Sequence, residues 1–399
     1  MRAGLPLLVA LLAGVAVPVL EAQPPPPPQD CSAPFFVFQE FPTSGAKQTA
    51  WAVCWQARRK NGLIIMSAHF RRSAGAPWVR VLWEGRIAEF FVPYHPAGSP
   101  RFRDVAWYNW PLVPLHAGDC PPALGGTLLS DPFRVPEPVS LPGIPAWPAG
   151  PEVCKIVHDR GLAWKDDTKI KRGEELVLWS AYDAANYNYL IEWTFRDDGA
   201  ITGRIAATGV NLGSGFYETA HLHSPLWRLD IDLDGFPRDS VHEGIHKELP
   251  GNVSDDFAPV IAAEKGLAWD PLAFTTLHIH DANLKNGKGE ASAYHFMPLR
   301  YGTSRHDELF TKSDFWVTRY SGIETVGEDL PKYVAPAQPV ADADVVVWYT
   351  GSMHHLVRRE DGEFVSCALG TCWSGEAHTM WVGFMLKPHN LFDRTPFFP

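Results

Sequence analysis

The chain has 399 residues, 46% of them hydrophobic and 20% charged, with 36 prolines and 33 glycines. This balance excludes a disordered chain, and so many Pro and Gly residues exclude a helical bundle. A formal net charge of −10 argues against a general nucleic-acid binder, because phosphate contacts need a surplus of Lys and Arg.

Residues 1–22 start with the basic Arg2, run apolar from Leu5 to Leu20 with Pro6 and Pro18 interrupting, and end on Ala22. That predicts a secretory signal peptide cut after Ala22, and hence an extracellular protein, or a periplasmic one in a bacterium. Residues 23–30 hold the run Pro24 to Pro28, which predicts a stiff spacer ahead of a folded part spanning 31–399. In an oxidising compartment the even set Cys31, Cys54, Cys120, Cys154, Cys367 and Cys372 predicts disulfides, although six cysteines allow fifteen pairings. Cys367 and Cys372 enclose a short Gly-containing loop that a local bridge would staple.

Beyond the spacer, β-rich runs recur at short intervals. In chain order they are Phe35–Phe38, Gly62–Ser67, Trp78–Trp83, Ile87–Pro93, Glu175–Trp179, Tyr189–Phe195, Gly203–Thr208, Trp227–Leu233, Phe274–Ile279, Ala293–Pro298, Phe315–Tyr320, Asp344–Tyr349 and Met380–Leu386. Turn signals such as Asp198-Gly199, Asp234-Gly235, Asn286-Gly287 and Asp361-Gly362 separate them. No amphipathic helix longer than about three turns stands out. The pattern predicts an all-β chain, a large antiparallel sandwich or barrel. The Pro-rich stretch 131–152 reads as a long surface loop or a boundary, and Asn252-Val253-Ser254 is a glycosylation acceptor in a eukaryotic host.

Sixteen histidines are more than such a core needs, and two pairs have the i, i+2 spacing that puts both rings on one face of a strand: His221/His223 and His278/His280. His354-His355 offers a third ligand, and three imidazoles without a thiolate suit Cu(II) or Zn(II). A Gly-x-Ser-x-Gly elbow, a Gly-rich phosphate loop and a Cys-x-x-Cys pair are all missing. The run Asn186-Tyr187-Asn188-Tyr189-Leu190-Ile191-Glu192-Trp193 reads on pattern alone as a strand with alternating aromatics at a sheet edge.

Six blocks in order, however, resemble the copper amine oxidase family, and they cover roughly residues 35–399. NYNYLIEWTFRDDGAITGRIAATG resembles the family's T-x-x-N-Y-[DE] segment with its turn and second strand. HLHSPLWRLDIDLDG, DFWVTRYSGIETVGEDLPKYV, DADVVVWYTGSMHHLVRRED and VGFMLKPHNLFDRTPFFP resemble four further blocks, and RIAEFFVPYHPAGSPRFRDVAWY resembles AEM-x-VPY…FD-x-GEY. The resemblance implies the family's large β-sandwich, the enzyme domain alone, and a homodimer. It implies oxidation of primary amines by O₂ to aldehyde, ammonia and hydrogen peroxide.

Carried over residue by residue, it places Cu(II) on His221, His223 and His355, and makes Tyr187 the precursor of the quinone cofactor topaquinone. It assigns Asp104 as the base that takes the substrate's α-proton, Tyr94 as the partner of the quinone oxygen, and Asn186 as a residue holding the ring. A second, oxygen-liganded ion, calcium, falls on Asp230, the Ile231 carbonyl and Asp344. Cys120–Cys154 matches the family's disulfide, which leaves Cys31 with Cys54 and Cys367 with Cys372. His278/His280 falls in a stretch without a metal role and is expected to be structural or on the surface.

Three departures bear on activity. Asp183 stands where the motif has Thr, and Asn188 where it has an acid. FD-x-GEY has become Phe102-Arg103-Asp104-Val105-Ala106-Trp107-Tyr108, with an extra residue before the acid and Trp107 for Glu. EDGEFVSCALGTCWSG replaces the family's EDWPVMP. An active oxidase is the primary expectation. The alternatives are a copper-binding member of the fold that has lost turnover, and a copper–histidine oxygenase without quinone chemistry.

Overall fold

The computed structural model describes residues 26–94, 101–108, 110–136, 148–184, 187–209, 220–235, 238–249, 252–299, 306–322, 326–356, 364–367, 370–373 and 377–397. The expected signal peptide, the start of the spacer and Asn186 lie outside them, as do the side chains of Asn252, Cys367 and Cys372.

Two ten-stranded antiparallel sheets dominate the described residues. The first runs Phe36–Phe41, Thr49–Arg58, Gly62–Arg71, Trp78–Pro93, His221–Ile231, Val345–Thr350, Phe315–Arg319, Lys265–Leu267. Two short strands pair off this path: Met353–His355 beside His221–Ile231, and Arg101–Arg103 beside Trp78–Pro93. The second runs Asn252–Val260, Asp239–Leu249, Thr276–Lys285, Ala291–Pro298, Ala377–His389, Ile201–Gly209, Tyr187–Arg196, Ile170–Ala184, Val153–Lys165, Thr127–Leu129. The described α-helices are single turns, Asp104–Trp107 and Leu330–Tyr333. None is long and apolar enough to cross a membrane.

The two sheets differ in patterning for a physical reason. Strand Val345–Thr350 is buried at every position. Its Val345, Val347 and Tyr349 enter the main core, while Val346 and Trp348 join Phe91, Leu226, Phe310 and Leu330 in a second cluster on the other face. A sheet covered on both sides reads as a continuous apolar run. The second sheet alternates: Leu277 and Ile279 point inward, and His278 and His280 sit on the outer face, half-buried. This disposes of the second His-x-His pair as a partner of the first.

Every expected run falls on a strand. Trp78–Trp83 and Ile87–Pro93 prove to be parts of one strand that bends through register shifts against His221–Ile231. Strand Tyr187–Arg196 corrects the edge reading, because it lies between Ile170–Ala184 and Ile201–Gly209. Its inward residues Tyr187, Tyr189, Ile191, Trp193 and Phe195 are all buried, so the aromatics fill the core rather than guard an edge.

One continuous core draws on residues from Val37 to Leu391. Trp193 meets Trp227 of the opposite sheet edge-on at 5.4 Å, so Trp193→Ala should cost about 3–5 kcal/mol. Two disulfides tie the flanks: Cys120–Cys154, as the resemblance implied, and Cys31–Cys54. They close loops with sequence separations of 34 and 23. Chain entropy gives each roughly 3–4 kcal/mol. Urea unfolding with and without dithiothreitol should therefore show a midpoint lowered on reduction, while an unchanged midpoint would contradict a stabilising role.

Candidate active site

The site forms where the inner faces of the two sheets meet. His221 and His223, two residues apart, project from one face of their strand. His355 arrives on the three-residue strand Met353–His355, directly opposite His221 in register. Local sequence explains the junction. His221–His223 pairs with Met353–His355, whereas Leu226–Ile231 pairs with Val345–Thr350, so the partner changes around Pro225. Proline has no N–H to leave unpaired at such a seam. Ser224 and Ser352 bridge it, hydroxyl to hydroxyl, at 2.9 Å.

The three imidazoles are buried, and one ring nitrogen from each lies within 4.8 Å of the others. His221 and His223 bring their Nε2 atoms to 3.0 Å. Burial, and then the two neighbouring rings, hold His223 well below the usual imidazole range. The His223 ring is therefore neutral and has a lone pair to offer. An all-imidazole set with no thiolate fits Cu(II) or Zn(II), so the trio can hold a transition metal. His354, next in sequence, is exposed, which agrees with the choice of His355.

Tyr187 enters from the facing sheet. Its hydroxyl lies 3.2 Å from His221 Nε2 and 2.9 Å from His355 Nδ1, and its ring meets His223 edge-on at 4.7 Å. Tyr94 stacks on His221 with centroids 4.1 Å apart. Tyr189, two residues along the strand, shares the inner face with Tyr187. Its hydroxyl donates to Asp104 Oδ2 at 3.0 Å and lies 3.5 Å from His223 Nδ1.

Asp104 is the first residue of helix Asp104–Trp107 and is buried. It is no surface-turn acid beside Arg101 and Arg103: Arg101 pairs with Glu308, and Arg103 pairs with Glu328 at 3.1 Å. Burial pushes its carboxyl up to about 7, against the hydrogen bond from Tyr189.

Two residues of this site were missed in the sequence. Glu89, on strand Trp78–Pro93, accepts the amides of Phe90 and Val105 on Oε1, both at 2.9 Å, while its buried Oε2 has no hydrogen-bond partner among the described residues. Burial pushes it up to about 8, with Asp104 adding to the rise. It is neutral at pH 7 and pins the helix turn that carries Asp104. An acid within the apolar run Ile87-Ala88-Glu89-Phe90-Phe91 is the signal that marks it. Tyr189 was the other, and its signal is the i, i+2 spacing from Tyr187.

At the opposite end of the histidine strand, Asp230 is buried and bonded to Arg228 at 3.4 Å. Burial pushes it up to about 7, Arg228 opposes that, and Asp344 adds to it. Ile231, between them, pairs with Val345. Asp232, also missed, pairs with Arg80 at 2.6 Å.

A His-Glu-x-x-His motif, read as absent from the sequence, is in fact there: His242-Glu243-Gly244-Ile245-His246 has that spacing, but it lies on strand Asp239–Leu249 rather than on the helix a zinc site of this kind needs. Four residues of strand separate its histidines by about 13 Å, too far to share an ion.

Residues 153–398 match the family description "Copper amine oxidase, enzyme domain", well over half of the chain. This chain belongs to the copper amine oxidase family. Among its curated relatives, the "Amine oxidase [copper-containing] gamma 2" of Arabidopsis thaliana is 26% identical, over 88% of this chain and 58% of its own length. The "Primary amine oxidase" of Arthrobacter sp. (strain P1) is 26% identical over 63% of this chain and 44% of its own. The chain thus spans about half the length of the curated relatives it matches. A crystal structure of a copper-containing benzylamine oxidase from Hansenula polymorpha superposes with a TM-score of 0.67 at 18% identity, covering 94% of this chain and 64% of that one, so the fold is shared.

Proposed function

We propose that this copper amine oxidase chain is a secreted enzyme that oxidises a primary amine with O₂ to an aldehyde, ammonia and hydrogen peroxide. The observation that carries the reading is the Tyr187 hydroxyl held against two imidazoles of a buried histidine trio, with an acid of raised pKa one tyrosine away. His221, His223 and His355 would hold the copper. Copper held there would, with O₂, supply the oxidising chemistry that turns the Tyr187 ring into topaquinone, and that group would supply an electrophilic carbonyl for the amine.

The chain's own residues do the rest. Asp104 accepts the α-proton of the bound substrate, and a carboxyl near 7 is both ionised often enough and basic enough for that work. Tyr189 orients Asp104 and stabilises its charged form. Glu89, uncharged, fixes the helix turn beneath it without competing for the proton. Tyr94 holds the plane of His221 by stacking. Calcium at Asp230, the Ile231 carbonyl and Asp344 belongs to the same reading, since a divalent ion would relieve the crowding of those acids. A homodimer belongs to it as well.

The departure at Asn188 favours a second reading, in which copper binds but turnover is lost. Its register weakens that reading. Asn188 lies directly opposite Asp183, so the missing carboxylate stands one strand over, at the position where the motif has Thr. Asn188 is exposed, on the face away from Tyr187, so an acid in this pair acts through the ladder rather than by touching the ring. Asp183→Asn should therefore slow turnover about three- to tenfold, and adding Asn188→Asp should recover most of it. Steady-state peroxide release would show this; a double variant no better than the single would sink the swap.

The deciding experiment is aerobic copper loading, followed by the peptide mass of Tyr187 and its reaction with phenylhydrazine. A modified, adduct-forming Tyr187 supports the oxidase. Bound copper with unmodified Tyr187 supports the second reading.

A further inference from the structure

The outer face of the second sheet carries a histidine cluster remote from the trio. Four neighbouring strands put their outward residues in two rungs. The first rung is His242, His278, His295 and Lys387; the second is Ser240, His280, Ala293 and His389. Ala293 offers only a methyl group at the centre of its rung, and it is nonetheless buried. The rings lean over it. His278 reaches to 4.7 Å of His295 and, diagonally, 5.3 Å of His389, and His295 and His389 are 5.1 Å apart, all between centroids. His280 and His242 extend the group, 4.9 Å from each other.

From this arrangement we propose that His278, His295 and His389 form a second transition-metal site, for a borderline divalent ion such as Zn(II), on the outer face of the sheet. The spacing argues for it directly. Centroid separations in the first trio are 4.8, 4.8 and 5.8 Å, so the ring centres of the second trio are grouped as closely, although among the described residues only the first trio already has its nitrogens converged. A nitrogen–metal distance of about 2.0–2.1 Å in a tetrahedral site puts imidazole centroids about 5 Å apart, which all three separations meet. His295 and His389 lie nearly parallel, at 19°, so one ring must turn about its Cβ–Cγ bond for the nitrogens to converge. The half-buried setting leaves room for that turn, and His280, 6.0 Å from His278, stands as a fourth donor.

The protonation state suits a metal. Burial, and then the neighbouring rings, push His278 down to about 3 and His295 to about 4, so neither is charged at neutral pH. Lys387, beside His295, is the cation facing the group, and Asp281 lies next to His280. Three imidazoles and no thiolate are a donor set for Zn(II), Cu(II) or Ni(II) and a poor one for Ca²⁺ or Mg²⁺.

The test uses the full chain with its first trio loaded with Cu(II), dialysed against Zn(II) and assayed by atomic emission. One Zn(II) per chain beyond the copper is expected. His295→Ala and His389→Ala should each weaken it by more than about a hundredfold. Ala293→Leu, which removes no histidine but fills the hollow, should abolish it, while circular dichroism shows the fold retained. A His223→Ala chain, whose first trio is broken, should still take up one Zn(II), which separates this site from the copper reading. No zinc beyond the first trio, or zinc that survives His295→Ala/His389→Ala together, overturns the proposal.

Discussion

His223→Ala is expected to yield a folded protein with no copper at the first trio, an unmodified Tyr187 and no detectable peroxide release from amines. His223 is fully buried and touches three other side chains of the centre: His221 at 3.0 Å, the Tyr189 hydroxyl at 3.5 Å, and the Tyr187 ring edge-on. Alanine removes one of three donors and leaves a cavity where no side chain can substitute. Even outer partners of metal ligands typically contribute about 10–100-fold in affinity, so loss of a direct ligand should exceed that. His354→Ala is the matched control, because that neighbour points to solvent and should leave copper content unchanged. Copper at one equivalent in a chain carrying His223→Ala together with His295→Ala and His389→Ala would remove the first trio from the mechanism.

Asp104→Asn should produce the complementary defect. Copper and the modified Tyr187 persist, but kcat/KM falls by about 10²–10⁴, the range a positioned proton acceptor supplies. The isosteric amide keeps a partner for Tyr189 and cannot take a proton. The pH profile of the unsubstituted protein carries the same information. Only the ionised carboxylate is a base, so kcat/KM should rise with pH through about 7 and level off above it. Tyr189→Phe removes the hydrogen bond that favours the ionised form, and the midpoint should move to higher pH. A bond to a charged group contributes roughly 1.5 kcal/mol, so the shift should be about one unit. A profile flat between pH 6 and 8, with Asp104→Asn fully active, would transfer the base role elsewhere.

Legibility in the sequence followed what each signal encodes. Period-two alternation exposed strands such as Gly203–Thr208 and Ala293–Pro298, because one face is buried and the other is not. It failed for Thr49–Arg58, buried along most of its length, and for Asp239–Leu249, whose histidines, Glu and Gly look like a loop. The i, i+2 spacing found both His-x-His pairs but could not rank them. Spacing specifies a shared face, and only the sheet's packing decides whether that face meets the core, as for His221 and His223, or the outside, as for His278 and His280. Glu89 stayed hidden because its role is set by where the Val105 amide arrives, a contact between residues sixteen apart.

Two tyrosines share the inner face of strand Tyr187–Arg196, their rings parallel within 12° and 6.2 Å apart. That separation is close to the repeat of an extended chain, roughly 6.7 Å for two residues. One step of backbone therefore decides which phenol lies against two imidazoles and which is tethered to a carboxyl. On the proposed oxidase reading the pleat would act as a ruler for chemoselectivity: the ring to be oxidised is chosen by position along the strand, and an otherwise identical side chain next to it is kept for holding the base.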